Sequence, residues 1–212
     1  MELKGHSHSK ILLSAVVIIL SVSCTSKKNT KKEVPIMAAS FFVDTTAIPL
    51  NTVLSTDKKL VLDNGIFYYN NLLFSGHIKG FYSTDTLMLV NSYLNGMQHG
   101  RSVCFYPDGK LHDSRMYKEN KSFGKHYGYW ENGNMKFEYY YFNDKREGSN
   151  KQWYHSGQPY AFLSFKDDKE DGMQHAWREN GKPYINYEAK GGYRYGLQKS
   201  NLCYTLEKEK FK

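Results

Sequence analysis

From about residue 60 onward the chain alternates aromatic and polar positions in short runs, and the runs are separated by pairs of turn-forming residues. Asp108-Gly109, Asn132-Gly133, Ser156-Gly157 and Asn180-Gly181 stand between aromatic-rich stretches. Asn-Gly and Asp-Gly in that setting predict β-hairpins, because the turn needs a positive φ that glycine adopts without a Cβ clash. The pattern also repeats. Gly76, Gly100, Gly124, Gly148, Gly172 and Gly196 lie 24 residues apart without slippage, and Gly109, Gly133, Gly157 and Gly181 each follow nine residues after one of them. Each 24-residue unit therefore reads as one hairpin.

The aromatic residues keep step with the glycines. Phe81, Phe105, Tyr129, Trp153 and Trp177 share one phase of the repeat, and Tyr93, Tyr117, Tyr141, Phe165 and Ala189 share another. Side chains alternate faces along a strand, so an aromatic held at fixed phase marks one face of a continuous sheet. Tyr82, Tyr106, Trp130 and Tyr154 directly follow the first series, fall on the opposite face, and are the candidate binding surface. With rings on both faces no covering helical layer is expected, since tyrosine packs an apolar ring while its hydroxyl stays wet. The predicted architecture is all-β: an elongated antiparallel meander of tandem 24-residue β-hairpin repeats in a single-layer twisted sheet.

The flanks are less regular. Ile66 to Tyr69, Asn70-Asn71 and Leu72 to Phe74 predict another hairpin off the strict period, and Leu197 to Leu206 predict a last strand. Residues 34 to 58 are expected to pack as an extended segment along the first hairpin. The charged stretch 207–212 suits the end of a repeat array, where charge protects an open sheet edge.

Upstream of the repeats the pattern changes character. Lys4 and Lys10 precede an apolar run from Ile11 to Val22, and Cys24 follows Ser21-Val22-Ser23. Twelve helical residues reach about 18 Å, short of a hydrocarbon core of about 30 Å, so the run predicts a secretory signal rather than a membrane span. The small residues before Cys24 resemble a bacterial lipobox, which implies that Cys24 becomes the lipidated first residue of the mature chain; the alternative is a plain secretory signal with Cys24 merely nearby. Thr25 to Glu33 is polar and lysine-rich, the composition of a flexible tether. The expected organisation is a signal at 1–23, lipidated Cys24 with tether and extended segment at 24–58, the repeat domain at 59–206, and the tail at 207–212.

Composition supports and narrows this reading. The 212 residues are 40% hydrophobic and 24% charged, too polar for a bundle of membrane helices, and the 18 Tyr and 17 Gly are what a turn-rich β array consumes. The net charge of +8 by itself suggests nucleic acid, but residues 60 to 206 hold 18 basic and 15 acidic side chains without a one-signed stripe. Much of the excess lies in the signal and tether, where lysines face an anionic leaflet at about 1 kcal/mol each. No nucleic-acid partner is expected.

Units such as Gly124-Lys-His-Tyr-Gly-Tyr-Trp-Glu-Asn-Gly133 and Gly172-Met-Gln-His-Ala-Trp-Arg-Glu-Asn-Gly181 resemble the bacterial variant of the MORN repeat, a family also labelled toxin-antitoxin system antitoxin of YwqK type. The resemblance spans about residues 60 to 206 and implies a meandering antiparallel sheet used for binding or scaffolding, with no catalytic residues to carry over. The unit from Gly76 departs from it, with Thr84-Asp85-Thr86 at the turn, as does the last unit with Ala189 and Gly191-Gly192. Glucan-binding and choline-binding repeats use similar turns and aromatics, but at a period nearer 20 residues.

Chemistry adds little. Cys104 and Cys203 stand four units apart, too distant in an open sheet for a disulfide, so two free thiols are expected. His77, His99, His112, His126, His155 and His175 occupy six different phases and read as surface histidines at turns; a metal site across adjacent units, for example His99 with His126, is the alternative, but no Cys or carboxylate shares a diagnostic spacing with them, and no metal is expected. Asp167 to Gly172 lacks the acid spacing of a calcium loop and reads as a solvated inter-hairpin loop. No nucleophile elbow, phosphate loop or metalloprotease motif occurs. The expected function is a non-catalytic, cofactor-free, lipid-anchored protein of the bacterial envelope, on the periplasmic side of the outer membrane, that binds or scaffolds an envelope protein; the alternative is a glycan or lipid headgroup bound through the same aromatic faces.

Overall fold

The computed structural model describes residues 41 to 198, and every regular element among them is a β-strand. The expected signal, Cys24, the tether up to residue 40, Cys203, the 207–212 tail and most of the expected last strand lie outside the described residues. At the front, β1 (Thr52–Leu54) is followed by β2 (Leu60–Asp63), β3 (Ile66–Tyr69) and β4 (Leu72–Leu73). Then come β5 (Gly76–Phe81) with β6 (Leu87–Leu94), β7 (Met97–Phe105) with β8 (Leu111–Lys118), and the short β9 (Lys121–Ser122). The pair β10 (Gly124–Tyr129) and β11 (Met135–Phe142) leads to the short β12 (Lys145–Arg146), the pair β13 (Gly148–Trp153) and β14 (Pro159–Lys166), the pair β15 (Lys169–Trp177) and β16 (Pro183–Lys190), and finally β17 (Tyr193–Leu197).

Fourteen of these strands form one sheet in the order β1-β5-β6-β7-β8-β10-β11-β13-β14-β15-β16-β17, with β9 paired to β8 and β12 to β11, while β2-β3-β4 form a separate sheet. Apart from β1, which lies parallel to β5, neighbours in the long sheet are antiparallel and follow chain order, and among the described residues the sheet does not close. Such a meander needs only short connections, and the residues supply two kinds.

The first kind caps each strand pair at the Asp-Gly, Asn-Gly or Ser-Gly dipeptides. Gly109 N–H donates to Tyr106 O at 2.9 Å and Tyr106 N–H donates to Lys110 O at 2.8 Å, and the same two bonds recur at Trp130, Tyr154 and Arg178. Only the glycine has positive φ, +82° at Gly109 and +87° at Gly133; Asp108 and Asn132 do not share it. This is a type I turn closed by a left-handed glycine at a bulge, and the strand register shifts there, as between Cys104 and Phe105. Asp108 and Asn132 have a different task. Their side-chain oxygens accept the N–H two residues on, at 3.1 and 3.0 Å. In the divergent first unit Asp85 takes the glycine's place at φ 59°.

The second kind joins one pair to the next. Asn95-Gly96, Glu119-Asn120, Asn143-Asp144, Asp167-Asp168 and Gly191-Gly192 each place two successive residues at positive φ, the signature of a two-residue type I′ turn. The stretch read as a loop at Asp167 to Gly172 is therefore a tight turn running straight into β15. Gly191-Gly192 likewise turns the chain into β17, which overlaps the expected last strand only at Leu197.

The 24-spaced glycines mark a third feature. Gly100, Gly124, Gly148 and Gly172 have φ of +89°, +68°, +68° and +87° and interrupt their strands. Between β8 and β10 the direct ladder shrinks to Tyr127 with Ser114 and Gly128 with Asp113. Side chains restore what the backbone loses. His126 Nε2 donates to Met116 O at 2.7 Å, Asn150 Oδ1 accepts Tyr140 N–H at 3.0 Å, and Gln174 accepts Ser164 N–H at 3.3 Å while donating to Ser164 O at 2.7 Å. The three side chains lie 24 residues apart, as do the three backbone sites, and all three side chains are buried.

Apolar packing concentrates at the front. Val53, Phe74, Ile78 and Tyr93 form a buried cluster with Leu60, Phe67 and Tyr69 against it, so the small sheet seals one end of the long one. The expected hairpin at Ile66 to Phe74 forms around Asn70-Asn71 and brings Phe67 edge-on to Tyr93 at 4.8 Å. In the segment from residue 41, β1 lies beside β5 and the start reaches further along the sheet. Phe41 meets Phe123, Tyr140 and Phe142 at 6.2 to 6.4 Å, against the third strand pair.

Candidate binding surface

Tyr82, Tyr106, Trp130 and Tyr154 each follow the last residue of a strand, at the entry to a glycine-closed turn. All four are half-buried. Their polar atoms point along the sheet rather than to solvent: Tyr82 Oη donates to Phe105 O at 2.9 Å, Tyr106 Oη to Tyr129 O at 2.8 Å, Trp130 Nε1 to Trp153 O at 3.1 Å and Tyr154 Oη to Trp177 O at 2.9 Å. Each bond spans one unit. The residues singled out as a surface are thus also the ties between successive strand pairs, and their rings are held at fixed angles.

Three of these rings have a partner from the bulge across the turn. His112 meets Tyr106 edge-on at 4.6 Å, Lys136 Nζ sits 4.3 Å above Trp130, and Tyr160 meets Tyr154 edge-on at 5.1 Å. The series continues at Arg178, whose guanidinium lies 5.5 Å from the Tyr184 ring. Between the third and fourth turns these groups enclose an open groove of about 500 Å³, walled by Trp130, Phe137, Tyr139, Trp153, Tyr154 and Tyr160 and edged by Lys136, Gln152, His155 and Glu179. A second aromatic band starts at Trp153 and runs through Phe162 to Trp177, with neighbouring rings 5.4 and 5.2 Å apart.

The electrostatics favour persistent donors. Burial pushes the Tyr106 and Tyr154 phenols above their ordinary value, with nearby carboxylates adding to it, so both stay protonated and keep donating. Tyr184 is pushed up to about 12 by burial and by its hydrogen bond to Tyr160. Ion pairs at the turns are exposed: Lys110 with Asp108 at 2.7 Å, and His155 with Glu131 at 3.9 Å.

Other chemistry-bearing residues serve the scaffold. His99 Nε2 donates to Asp44 O at 2.9 Å and His126 to Met116 O, so the pair that adjacent units suggested for a metal is spent on backbone carbonyls. Asp113 is buried, 4% exposed, and accepts from His112 Nδ1 at 2.6 Å and Arg115 Nε at 3.0 Å. Cys104, opposite Asp113, carries a free thiol whose pKa is pushed up by burial and by that carboxylate. Gly100, Gly124, Gly148 and Gly172 mark strand interruptions, Gly76 opens β5, Gly196 lies within β17 opposite Tyr187, and Gly109, Gly133, Gly157 and Gly181 mark turns.

Sequence reasoning passed over the buried polar column Ser102, His126, Asn150 and Gln174. A signal was there: at this phase every unit after Ile78 places a hydrogen-bonding residue on the face that also carries Tyr93, Tyr117 and Tyr141. Taken one residue type at a time, His126 looks like a scattered histidine. No family model matches the chain, and no curated protein matches it.

Proposed function

We propose that this protein is a non-catalytic binding or scaffolding module of the bacterial envelope, anchored to the membrane through a lipid on Cys24, and that it engages a protein partner through the turn-end row Tyr82, Tyr106, Trp130 and Tyr154. The observation that carries the reading is the tying of these rings. Their donors are spent on the sheet, so the row is pre-ordered and loses little side-chain freedom when a partner covers it. The chain is read here as tandem 24-residue MORN-like hairpin repeats in a single-layer sheet, supported by the recurrence of the same turn bonds at every unit. The buried or paired states of His126, Asp113 and Cys104 support a non-catalytic role, since each is committed to structure.

A glycan is the second reading, favoured by the groove between Trp130 and Tyr154, where rings and hydrogen-bonding side chains alternate. The test is capture from solubilised envelope on the immobilised protein, beside a Tyr160→Ala variant. Enrichment of one defined protein by the parent and its loss with the variant is expected. Recovery of polysaccharide or lipid alone by both overturns the protein reading.

A further inference from the structure

The geometry points to a more definite occupant: we propose that the groove at Trp130 and Tyr154 docks a proline-rich, basic segment of the partner in polyproline II conformation. The inference rests on the protein-binding reading above and names the chemistry of the partner.

Spacing carries it first. Successive turn rings are one unit, hence two strands, apart, which at about 4.8 Å per strand is about 9.6 Å. A polyproline II helix advances about 9.3 Å per turn of three residues. A proline at every third position therefore meets one turn ring per unit, and such helices dock on aromatic-lined grooves because they are ordered before binding.

The shape of each ring pair carries it next. Tyr154 with Tyr160, and Tyr106 with His112, stand edge to face at 5.1 and 4.6 Å, forming notches instead of flat platforms. A pyrrolidine ring fits a notch, whereas a pyranose stacks on an open face. The hydroxyls and the indole N–H of the row are already bonded to the sheet, so the rings offer apolar surface alone. Proline brings no N–H that would be stranded there, and its carbonyls can accept from Lys136 and Gln152, which edge the groove.

Charge selects the flanking residues. Glu179 edges the same groove and forms no ion pair among the described residues, and Glu131 at the adjacent turn has only the exposed His155 at 3.9 Å. Against these two carboxylates stands one lysine, Lys136, held over the Trp130 ring at 4.3 Å, and the excess of negative charge favours arginine or lysine in the ligand and disfavours an acidic one.

The test is tryptophan fluorescence of the full chain, in which Trp130 and Trp153 line the groove. It is titrated with a peptide of four Pro-Pro-Arg triplets, a Gly-Ser-Arg peptide of equal length and charge, chitin and cellulose hexasaccharides, and phosphatidylglycerol vesicles. The Pro-Pro-Arg peptide should bind best. Tyr160→Ala should weaken it about tenfold, the worth of one ring contact, and Glu179→Gln about threefold, the worth of an exposed ion pair. Tyr154→Phe keeps the ring but drops the bond to Trp177 O that holds it in place, so it should lower the melting temperature and weaken the peptide, though less than Tyr160→Ala does. Equal binding of the Gly-Ser-Arg peptide, preference for a hexasaccharide or for vesicles, or no response to Pro-Pro-Arg overturns the proposal. If that happens while Tyr160-dependent capture of an envelope protein persists, only the proline inference falls; if the capture is also lost, the protein-binding reading falls with it.

Discussion

At the scale of single residues, the structure distributes backbone strain according to which side chains tolerate it. The type I′ turns require two left-handed residues, and Asn, Asp and Gly fill nine of the ten positions from Asn95 to Gly192. Glu119, at φ 52°, is the exception. Glutamate lacks the short side chain that eases this conformation. Glu119→Asn should therefore stabilise the protein by about 0.5 to 1 kcal/mol, read as a higher denaturant midpoint with an unchanged slope. The opposite sign is expected where glycine has no room. A Cβ at Gly128 would lie 2.6 Å from Phe137 Cε1 and 2.9 Å from His112 O, so Gly128→Ala should cost about 1 to 3 kcal/mol in the same experiment.

At the scale of strands and their pairing, the buried polar column decides how a sheet interrupted in every unit still holds together. Gln174 is fully buried and supplies both an acceptor and a donor to Ser164. Gln174→Leu keeps the volume but leaves that backbone N–H and C=O unpaired, at a cost of about 1 to 3 kcal/mol for each buried group. Local loss of hydrogen-exchange protection at Ser164 would identify the cause. His126 makes the same column sensitive to acid. Burial, the largest influence, holds its pKa below the ordinary 6.5, and its Nε2–H is committed to Met116 O. The unfolded chain therefore binds the proton more readily. Its contribution to stability is whole above pH 6.5 and is lost as the pH falls from there through the lowered native value. Melting curves between pH 7.5 and 5 should show this decline, and His126→Gln, which copies the arrangement at Gln174, should flatten it.

The periodic glycines and turn dipeptides made the strand pairs legible without coordinates, since each reports a backbone conformation that few residues can adopt. The roles within the pairs were less legible. Asn132 and Asp108 look like partners of glycine in positive φ, yet they act through their side chains. The aromatic row reads as a surface, and its hydroxyls turn out to be ties, because a carbonyl 23 residues away becomes a neighbour only when strand pairs lie side by side.

At the scale of the whole molecule, the long sheet is flanked at β5 by a parallel strand and sealed at that end by a small separate sheet, while Phe41 joins the chain's leading segment to the third strand pair. That attachment places the start of the described chain against the middle of the sheet rather than its edge. On the proposed anchoring, Cys24→Ser should move the protein from the membrane fraction to the soluble envelope fraction without altering its melting temperature. Retention in the membrane fraction would point to an uncleaved apolar segment or to a membrane partner instead.

The sequence by itself determined that this chain is a turn-rich β protein, where the glycine-closed turns reverse its strands, and which positions recur on a common face. Those properties are local: they follow from the φ each residue permits and from side chains alternating along a strand. Only the tertiary structure decided what the recurring residues do. Whether Tyr154 faces solvent or bonds to Trp177 O, and whether His126 is free or bonded to Met116 O, depends on register between strands distant in sequence. Register is set by which backbone groups the glycine interruptions leave unpaired and which buried side chains arrive to satisfy them.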